Sequence, residues 1–269
     1  MPTWYNHSGN GDEDVMPRIK TAHGEIYFTD HRKSERIPVI FVHGAGGSHL
    51  DWGASLRRLP EANAIALDLP GHGKSPAPGR SSIPDYAADV IGLIDTLNVP
   101  QAIIAGHSMG GAIAQTIALT YPQRVHGLIL IGTAGKLVVN PYIIEKSQSD
   151  QDELAQTLVK WMWGKNATDD MRLFSYQQLM RVSPQVLHDD YIACNHFDIR
   201  DKLSDIHMPT LVIGGSADKM TPIKFSEYLA EHIPQAQLVV IPDGGHMMML
   251  EQPEIVTQAV KDWLCHAAT

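Results

Sequence analysis

Short, continuous apolar runs separated by segments of helical periodicity constrain the fold of this 269-residue chain more than any other feature. Strands buried on both faces of a parallel sheet have continuous apolar runs, whereas half-exposed strands alternate apolar and polar residues. Alternation of such runs with helical patterns predicts the α/β class, a doubly wound sheet with right-handed crossovers. The apolar runs are residues 38–42, 64–67, 102–105, 128–131, 210–213 and 237–241, and the helical patterns are residues 85–97, 110–120, 222–232 and 253–264.

Two parts of the chain depart from this alternation. Residues 18–21 and 25–29 flank a short turn at Gly24, which predicts a β-hairpin. Residues 137–205 contain no apolar strand run but carry three helical patterns, at 142–164, 168–182 and 184–195, which predicts a helical insertion between two strands. The expected organisation is a core of residues 17–136 and 206–269, the insertion at 137–205, and a loosely ordered polar tail at 1–16.

The charge of the chain argues against two classes of partner. It has 21 Lys and Arg against 30 Asp and Glu, and the resulting net charge of −9 disfavours nucleic acid, because phosphate binding needs a basic surface. No apolar run reaches the roughly 18 residues of a transmembrane helix. Residues 1–16 also lack the basic and apolar regions of a signal peptide, so neither a membrane partner nor secretion is expected.

Cysteine and histidine usage point to a chain without a covalent framework or a metal. The two cysteines, Cys194 and Cys265, are too few for a disulfide scaffold and favour reduced thiols in a cytoplasmic protein. The histidines show no H-E-x-x-H or comparable ligand spacing, so no metal and no other cofactor is expected. The sequence does not predict an oligomeric state.

The segment Gly106-His107-Ser108-Met109-Gly110 carries the clearest chemical signal. It lies between an apolar run and a helical pattern, the context in which a G-x-S-x-G motif places a nucleophilic serine on a sharp turn. Such a strained turn needs neighbours without side chains, and a glycine lies two residues away on each side of Ser108. The Ser108 hydroxyl is then exposed at a strand end, and the N–H of Met109, at a helix N-terminus, points towards a substrate oxygen.

A serine hydroxyl needs a general base, and the base needs a carboxylate partner. His246 is the candidate base because it follows a predicted strand, at the sheet edge where ligands bind. Asp218 also follows a strand and is the preferred partner. Asp243 competes because it is near His246 in sequence, although a Gly-containing loop gives so close a residue poor geometry. Asp68 is a weaker competitor that fits a structural turn.

An oxyanion site needs a second N–H donor beside Met109. The segment His43-Gly44-Ala45-Gly46-Gly47 follows an apolar run, and its glycines let the backbone approach a bound acyl group. Ala45 is the first choice for the donor and Gly46 the second. We expect a scaffold role for His43, hydrogen-bonding the loop.

Taken in order, these motifs resemble the α/β-hydrolase superfamily, over nearly the whole chain from about residue 16. The resemblance implies a mostly parallel eight-stranded sheet flanked by helices, with residues 137–205 as a helical lid after the sixth strand, and it matches the chain order Ser, Asp, His. The motifs that carry it are His-Gly-Ala-Gly-Gly at 43–47, Asp-Leu-Pro-Gly-His-Gly-Lys-Ser at 68–75, Gly-His-Ser-Met-Gly-Gly at 106–111, the segment 209–218, and Gly-Gly-His at 244–246.

The resemblance is to small bacterial carboxylesterases, lactonases and haloperoxidase-like members, and Ser108 disfavours members with an Asp nucleophile. It implies a serine hydrolase that cleaves a small uncharged carboxylic ester or lactone through a Ser108-His246-Asp218 triad and an acyl-enzyme. No basic side chain stands out as a clamp for an anion. The alternatives are a carbon–carbon bond hydrolase or lyase on the same triad, and a non-catalytic ligand receptor. Candidate pocket residues are Gly46, His107, Leu137, Trp161, Met162, Trp163 and Met247.

Overall fold

The computed structural model describes residues 18–267, so the tail expected at residues 1–16 lies outside the described part. Within that part, the strands form one eight-stranded sheet in the order β1-β2-β4-β3-β5-β6-β7-β8. The pairs β1–β2 and β2–β4 are antiparallel and the other pairs are parallel. The predicted mostly parallel sheet is confirmed. The strands are β1 (Arg18–Thr21), β2 (Gly24–Asp30), β3 (Val39–Val42), β4 (Ile65–Asp68), β5 (Ala102–His107), β6 (Val125–Ile131), β7 (Thr210–Gly215) and β8 (Ala236–Ile241).

Several strands extend beyond their apolar runs. β5 continues through Gly106 and His107, and β6 begins at Val125 rather than at Leu128. The cause is the parallel ladder, since Ala102 pairs with Val125 and His107 with Ile131. Backbone pairing does not depend on side-chain polarity, so strand ends that contain Gly or His are missed when strands are recognised by apolar character alone.

Helices cover both faces of this sheet, and those within residues 18–267 are too short or too polar to cross a membrane. Short 3₁₀ segments lie at His49–Asp51, Pro122–Arg124 and Arg200–Asp205. The α-helices are α1 (Ala54–Arg57), α2 (Ile83–Thr96), α3 (Met109–Thr120), α4 (Pro141–Ser149), α5 (Gln151–Met162), α6 (Asp169–Arg181), α7 (Pro184–His196), α8 (Lys224–His232), α9 (Met248–Glu251) and α10 (Pro253–Ala267).

The helices α4 to α7 lie between β6 and β7, within the segment where a helical insertion is expected, and are called the insertion below. The single helical pattern at 142–164 is two helices, because Asp150 ends α4 and its carboxylate accepts a hydrogen bond from the N–H of Glu153 at the start of α5. Thr168 and Ser183 cap α6 and α7 in the same way. The insertion has an apolar cluster of its own, which includes Leu154, Leu158, Leu179, Leu187 and Tyr191.

The core consists of two apolar layers, one on each face of the sheet. Side chains of one strand alternate between them: Ile40 and Val42 pack with α2 and α3, whereas Val39 and Phe41 pack with Trp52 and α10. All four β3 side chains have an exposed fraction of 0%. Burial on both faces explains why the strands read as continuous apolar runs, and it leaves the carboxyl ends of the strands as the edge where polar side chains collect.

Candidate active site

Ser108 follows β5 directly and occupies a strained backbone conformation, with φ 52° and ψ −117°. Its N–H donates to the carbonyl of Ile131 at 3.0 Å, and Thr133 Oγ1 donates to its carbonyl at 2.8 Å. A Cβ on Gly106 would overlap the backbone of Gly110. The backbone of β5 and the first turn of α3 therefore touch directly, and this contact makes the turn sharp enough to present the Ser108 hydroxyl.

Replacement of Gly106 by alanine is expected to lower the free energy of unfolding by about 4 kcal/mol or more, because backbone atoms rather than a flexible side chain occupy the space. Gly53→Ala is the matched control: its Cβ would meet nothing closer than 3.6 Å, and we expect a change within about 1 kcal/mol. Urea unfolding of both variants checks this. Equal stability of the two variants would contradict the argument.

His246 and Asp218 are joined by a buried contact of 2.9 Å between Nδ1 of the imidazole and Oδ2 of the carboxylate. Asp218 also accepts hydrogen bonds from the N–H of Met220 and from the N–H and hydroxyl of Thr221, at 2.8–2.9 Å. Burial would raise the pKa of Asp218, but the imidazole and the Thr221 donors outweigh it and hold the pKa below its usual range. The carboxylate is thus ionised and positioned to orient the imidazole.

The two competing aspartates are placed elsewhere. The Asp243 carboxylate is half exposed and forms an ion pair with Lys165 at 2.6 Å. Asp68 is buried, where it accepts from both the N–H and the ring Nδ1 of His49 and from the N–H of Lys74, which is the structural turn role considered for it. Neither is hydrogen-bonded to His246 in the described part of the chain.

Ser108 and His246 line the same cavity at the carboxyl edge of the sheet. Among the described residues, no hydrogen bond joins the Ser108 hydroxyl to the His246 ring. Such bonds are often long without substrate and tighten in the Michaelis complex. Asp218 fixes Nδ1 of His246, so Nε2 is the ring nitrogen left for exchange with Ser108.

The geometry separates the two candidate oxyanion donors of the loop after β3. The N–H of Gly46 donates to Oδ2 of Asp190 at 2.9 Å and is therefore already engaged. The N–H groups of Ala45 and Met109 donate to no other group within residues 18–267. Ala45 thus fits the oxyanion role better than Gly46. His43 bonds the carbonyl of Gly44 and accepts from the N–H of Leu69, which agrees with a scaffold role.

His107 lines the cavity and also binds the loop that carries His246. Its Nε2–H donates to the carbonyl of His246 at 2.9 Å, and the two rings lie 4.6 Å apart. Burial and the neighbouring His246 lower the pKa of His107 to about 3, so the ring is neutral. Its Nδ1 is buried without a hydrogen-bond partner among the described residues. A neutral imidazole therefore links the turn at Ser108 to the loop that carries His246.

The cavity has a volume of about 460 Å³ and is lined by residues at the ends of the strands and in the helical insertion. Most of the predicted pocket residues line it, namely Gly46, His107, Leu137, Trp161, Met162 and Met247. Trp163 does not line it: with an exposed fraction of 2% it packs in the sheet core with Met171 and Met247, because the chain turns inwards after α5. Lining residues that the sequence analysis missed include Asp51, Gln178, Tyr191, Lys219, Met220 and Phe225.

Two lysines on the cavity wall were also not anticipated. Lys136 forms an ion pair with Asp198 at 3.1 Å, whereas Lys219 is exposed and makes no ion pair in the described part of the chain. No basic side chain stood out in the sequence as a clamp for an anion, yet these two lysines line the cavity. Neither lysine belongs to a recognisable motif, and only the folded structure shows that both line the cavity.

Asp51 contributes a buried carboxyl group to the cavity wall, where it accepts a hydrogen bond from the N–H of Ser48 at 3.2 Å. Burial, together with the nearby Asp68 carboxylate, raises the pKa of Asp51 to about 7. The folded protein thus holds a proton on Asp51 at a pH where the unfolded chain has lost it.

We expect the stability advantage of the native chain over Asp51→Asn to be largest near pH 4 and to decline as the pH rises to about 7, then to stay constant. The pKa is raised on folding, so the contribution is complete below the unfolded pKa and lost through the folded pKa. Its upper bound is about 4 kcal/mol. Unfolding free energies at several pH values check this, with the exposed Glu35→Gln as control, and a pH-independent difference would contradict it.

The fold and the sharp turn at Ser108 agree with the similarity of this chain to a known protein family. Residues 39–259 match the model of the alpha/beta hydrolase family. That match covers most of the chain, so the protein belongs to the α/β-hydrolase family.

Among curated relatives, the chain is 28% identical over 245 residues to 3-oxoadipate enol-lactonase 1 of Acinetobacter baylyi, covering 88% of this chain and 92% of that protein. It is 29% identical over 257 residues to 2-hydroxymuconate semialdehyde hydrolase of Pseudomonas putida, covering 88% and 90%. Among solved structures, a thermophilic esterase from Thermogutta terrifontis superposes with a TM-score of 0.83 at 28% identity, covering 94% and 99% of the two chains.

Proposed function

We propose that this protein is a serine hydrolase that cleaves a small carboxylic ester or lactone through an acyl-enzyme. One observation carries the proposal: a serine at positive φ and a buried, Asp218-bonded His246 line one cavity. The test is incubation of the native protein with a fluorophosphonate, followed by mass analysis, and hydrolysis of short p-nitrophenyl esters. Labelling confined to Ser108 together with ester turnover supports the proposal; a protein that neither labels nor turns over esters refutes it.

In the proposed mechanism, Ser108 Oγ attacks the substrate carbonyl while Nε2 of His246 takes the hydroxyl proton. The imidazolium that forms is stabilised by the Asp218 carboxylate. The N–H groups of Ala45 and Met109 hold the negative oxygen of the tetrahedral intermediate. His246 then protonates the leaving oxygen, which departs as an alcohol or as the opened end of a lactone. Water repeats the sequence on the acyl-enzyme and releases the acid and Ser108.

We propose that helices α4 to α7 act as the lid that sets substrate choice, because they supply much of the cavity wall. Apolar side chains such as Leu137, Ile143, Trp161 and Met162 favour an uncharged acyl or alcohol group. Lys219, which lacks an ion-pair partner in the described part of the chain, favours instead a substrate with a distant carboxylate. Esters of matched length, with and without a terminal carboxylate, separate these two by kcat/KM.

A second candidate is hydrolysis of a carbon–carbon bond by the same three residues. The observation in its favour is the similarity to the 2-hydroxymuconate semialdehyde hydrolase. A vinylogous diketone assayed beside the esters tests it, since turnover of the diketone alone would replace the ester proposal.

Cys194 and Cys265 are both unpaired, which supports a reducing compartment such as the cytoplasm for either activity.

A further inference from the structure

The carboxylate of Asp190, on α7 of the insertion, lies at the centre of a fully buried cluster that joins the insertion to the core. Its Oδ2 accepts from the N–H of Gly46 at 2.9 Å and contacts Nε2 of His72 at 2.8 Å. Its Oδ1 accepts from the hydroxyl of Tyr86 at 2.6 Å. One side chain thus engages three core segments: the loop after β3, the loop after β4, and α2.

The partners of His72 define the charge state of this cluster. Nδ1 of His72 lies 3.0 Å from the carbonyl oxygen of Pro70, and Nε2 lies against the Asp190 carboxylate. Both partners are acceptors, so both ring nitrogens must carry a hydrogen. Burial would lower the pKa of His72, but Asp190 outweighs it and the pKa is raised. His72 and Asp190 therefore form a buried ion pair.

Gly46, the third partner of Asp190, lies in the loop after β3 that also carries Ala45. Gly46 has φ +65°, and a Cβ there would lie 2.9 Å from Leu187 and 3.0 Å from Leu179, so α6 and α7 pack directly on its backbone. The N–H of Gly47 donates to the carbonyl of Gly44 at 3.1 Å and closes the turn. Two hydrogen bonds thus fix the turn: one within it, from Gly47 to Gly44, and one from Gly46 to Asp190 on α7.

We propose that Asp190 is a positioning residue for the oxyanion hole. Its carboxylate binds the N–H of Gly46 and so fixes the direction of the neighbouring Ala45 N–H. The inference rests on the proposed function, because the Ala45 N–H matters only if Ser108 generates an oxyanion. The bond also occupies the Gly46 N–H, which would otherwise compete for the substrate oxygen. Through it, the seating of α7 on the core controls the geometry of the hole.

The test must remove the acceptor for Gly46 without leaving a buried charge unpaired. Asp190→Ala would leave the His72 imidazolium alone, at a cost large enough to unfold the protein. In the double variant Asp190→Leu/His72→Phe, apolar groups replace the ion pair, an exchange that is often neutral for stability. Asp190→Asn is the conservative variant, because its amide oxygen can still accept from Gly46 while its NH₂ faces the Tyr86 hydroxyl.

For the double variant we expect kcat of ester hydrolysis to fall about 10- to 100-fold, a part of the effect of losing one oxyanion donor. KM should change little, and the affinity for phenylboronic acid, which forms a tetrahedral adduct on the serine, should fall by the same factor as kcat. Asp190→Asn should keep kcat within about threefold even though its melting temperature falls. Tyr86→Phe, which removes only the bond to Oδ1, should also keep kcat.

Wild-type kcat and boronate affinity in the folded double variant would overturn the inference. If the double variant does not fold, a tenfold loss of kcat in folded Asp190→Asn would overturn it, as would an equal loss in Tyr86→Phe. Native protein that turns over esters and labels at Ser108 shows that such a failure concerns Asp190 alone. Native protein that does neither refutes the proposed function instead.

Discussion

Replacement of Ser108 by alanine is expected to lower kcat for ester hydrolysis by about 10⁴- to 10⁶-fold, the range for loss of a triad nucleophile. The fold should be unaffected, because the Ser108 hydroxyl makes no hydrogen bond among the described residues. The turn is held instead by the Ser108 backbone, whose N–H donates to the carbonyl of Ile131 and whose carbonyl accepts from the hydroxyl of Thr133. Steady-state kinetics on a p-nitrophenyl ester and a thermal unfolding curve check both parts. Labelling by fluorophosphonate should vanish together with turnover.

Ser175→Ala is the matched control for this prediction. Ser175 on α6 lines the same cavity and is buried, with an exposed fraction of 6%. It stands on a regular helix, and no hydrogen bond joins it to a histidine among the described residues. Its removal should leave at least a tenth of kcat. If Ser108→Ala retains near-native turnover, the reaction uses another nucleophile and the proposed mechanism is wrong.

Replacement of Asp218 by asparagine is expected to lower kcat about 10⁴-fold, because an amide in this position favours the wrong tautomer of the base. The Asp218 carboxylate contacts Nδ1 of His246 at 2.9 Å, so an NH₂ group there would require Nδ1 to accept and would leave the proton on Nε2. The base could then no longer take the proton of Ser108. Pre-steady-state measurement of acylation checks that this step is the one slowed.

Asp243→Asn separates the two aspartates that the sequence analysis left in competition. Asp243 lies three positions before His246 but pairs with Lys165 at the surface. We expect kcat of Asp243→Asn to stay within about twofold of the native value, with a small loss of stability at most, as for other exposed ion pairs. The reverse ranking, with the larger loss at Asp243, would show that the carboxylate partner of the base had been misassigned.

The fold class was predictable from the sequence because burial on both faces leaves a direct mark on composition. Every residue of β3 is buried and apolar, so a parallel strand can be recognised without knowing its neighbours. The elbow was predictable for a related reason. Gly106 and Gly110 are needed where two backbones touch, and this requirement is expressed within five consecutive residues.

Element boundaries within the helical insertion were less predictable. The apolar pattern continues from α4 into α5, and the break at Asp150 depends on a side-chain cap rather than on a change of periodicity. Trp163 was predicted to line the pocket because it is adjacent in sequence to Trp161 and Met162. Helix α5 ends just before Trp163, however, and the side chain of Trp163 packs in the sheet core. One residue at a helix end thus separates a cavity wall from a buried layer.

The sequence determined the α/β class, the order of the motifs and the identity of the residues at the strand ends, because each depends on local backbone geometry or on burial within one element. The tertiary structure decided which aspartate meets His246, which N–H after β3 is free, and how α7 reaches the oxyanion loop. Asp190 and Gly46 are 144 residues apart in the sequence, and Asp190 and His72 are 118 residues apart. Contacts of this kind follow from how helices from distant segments pack on the sheet, and no local pattern encodes them.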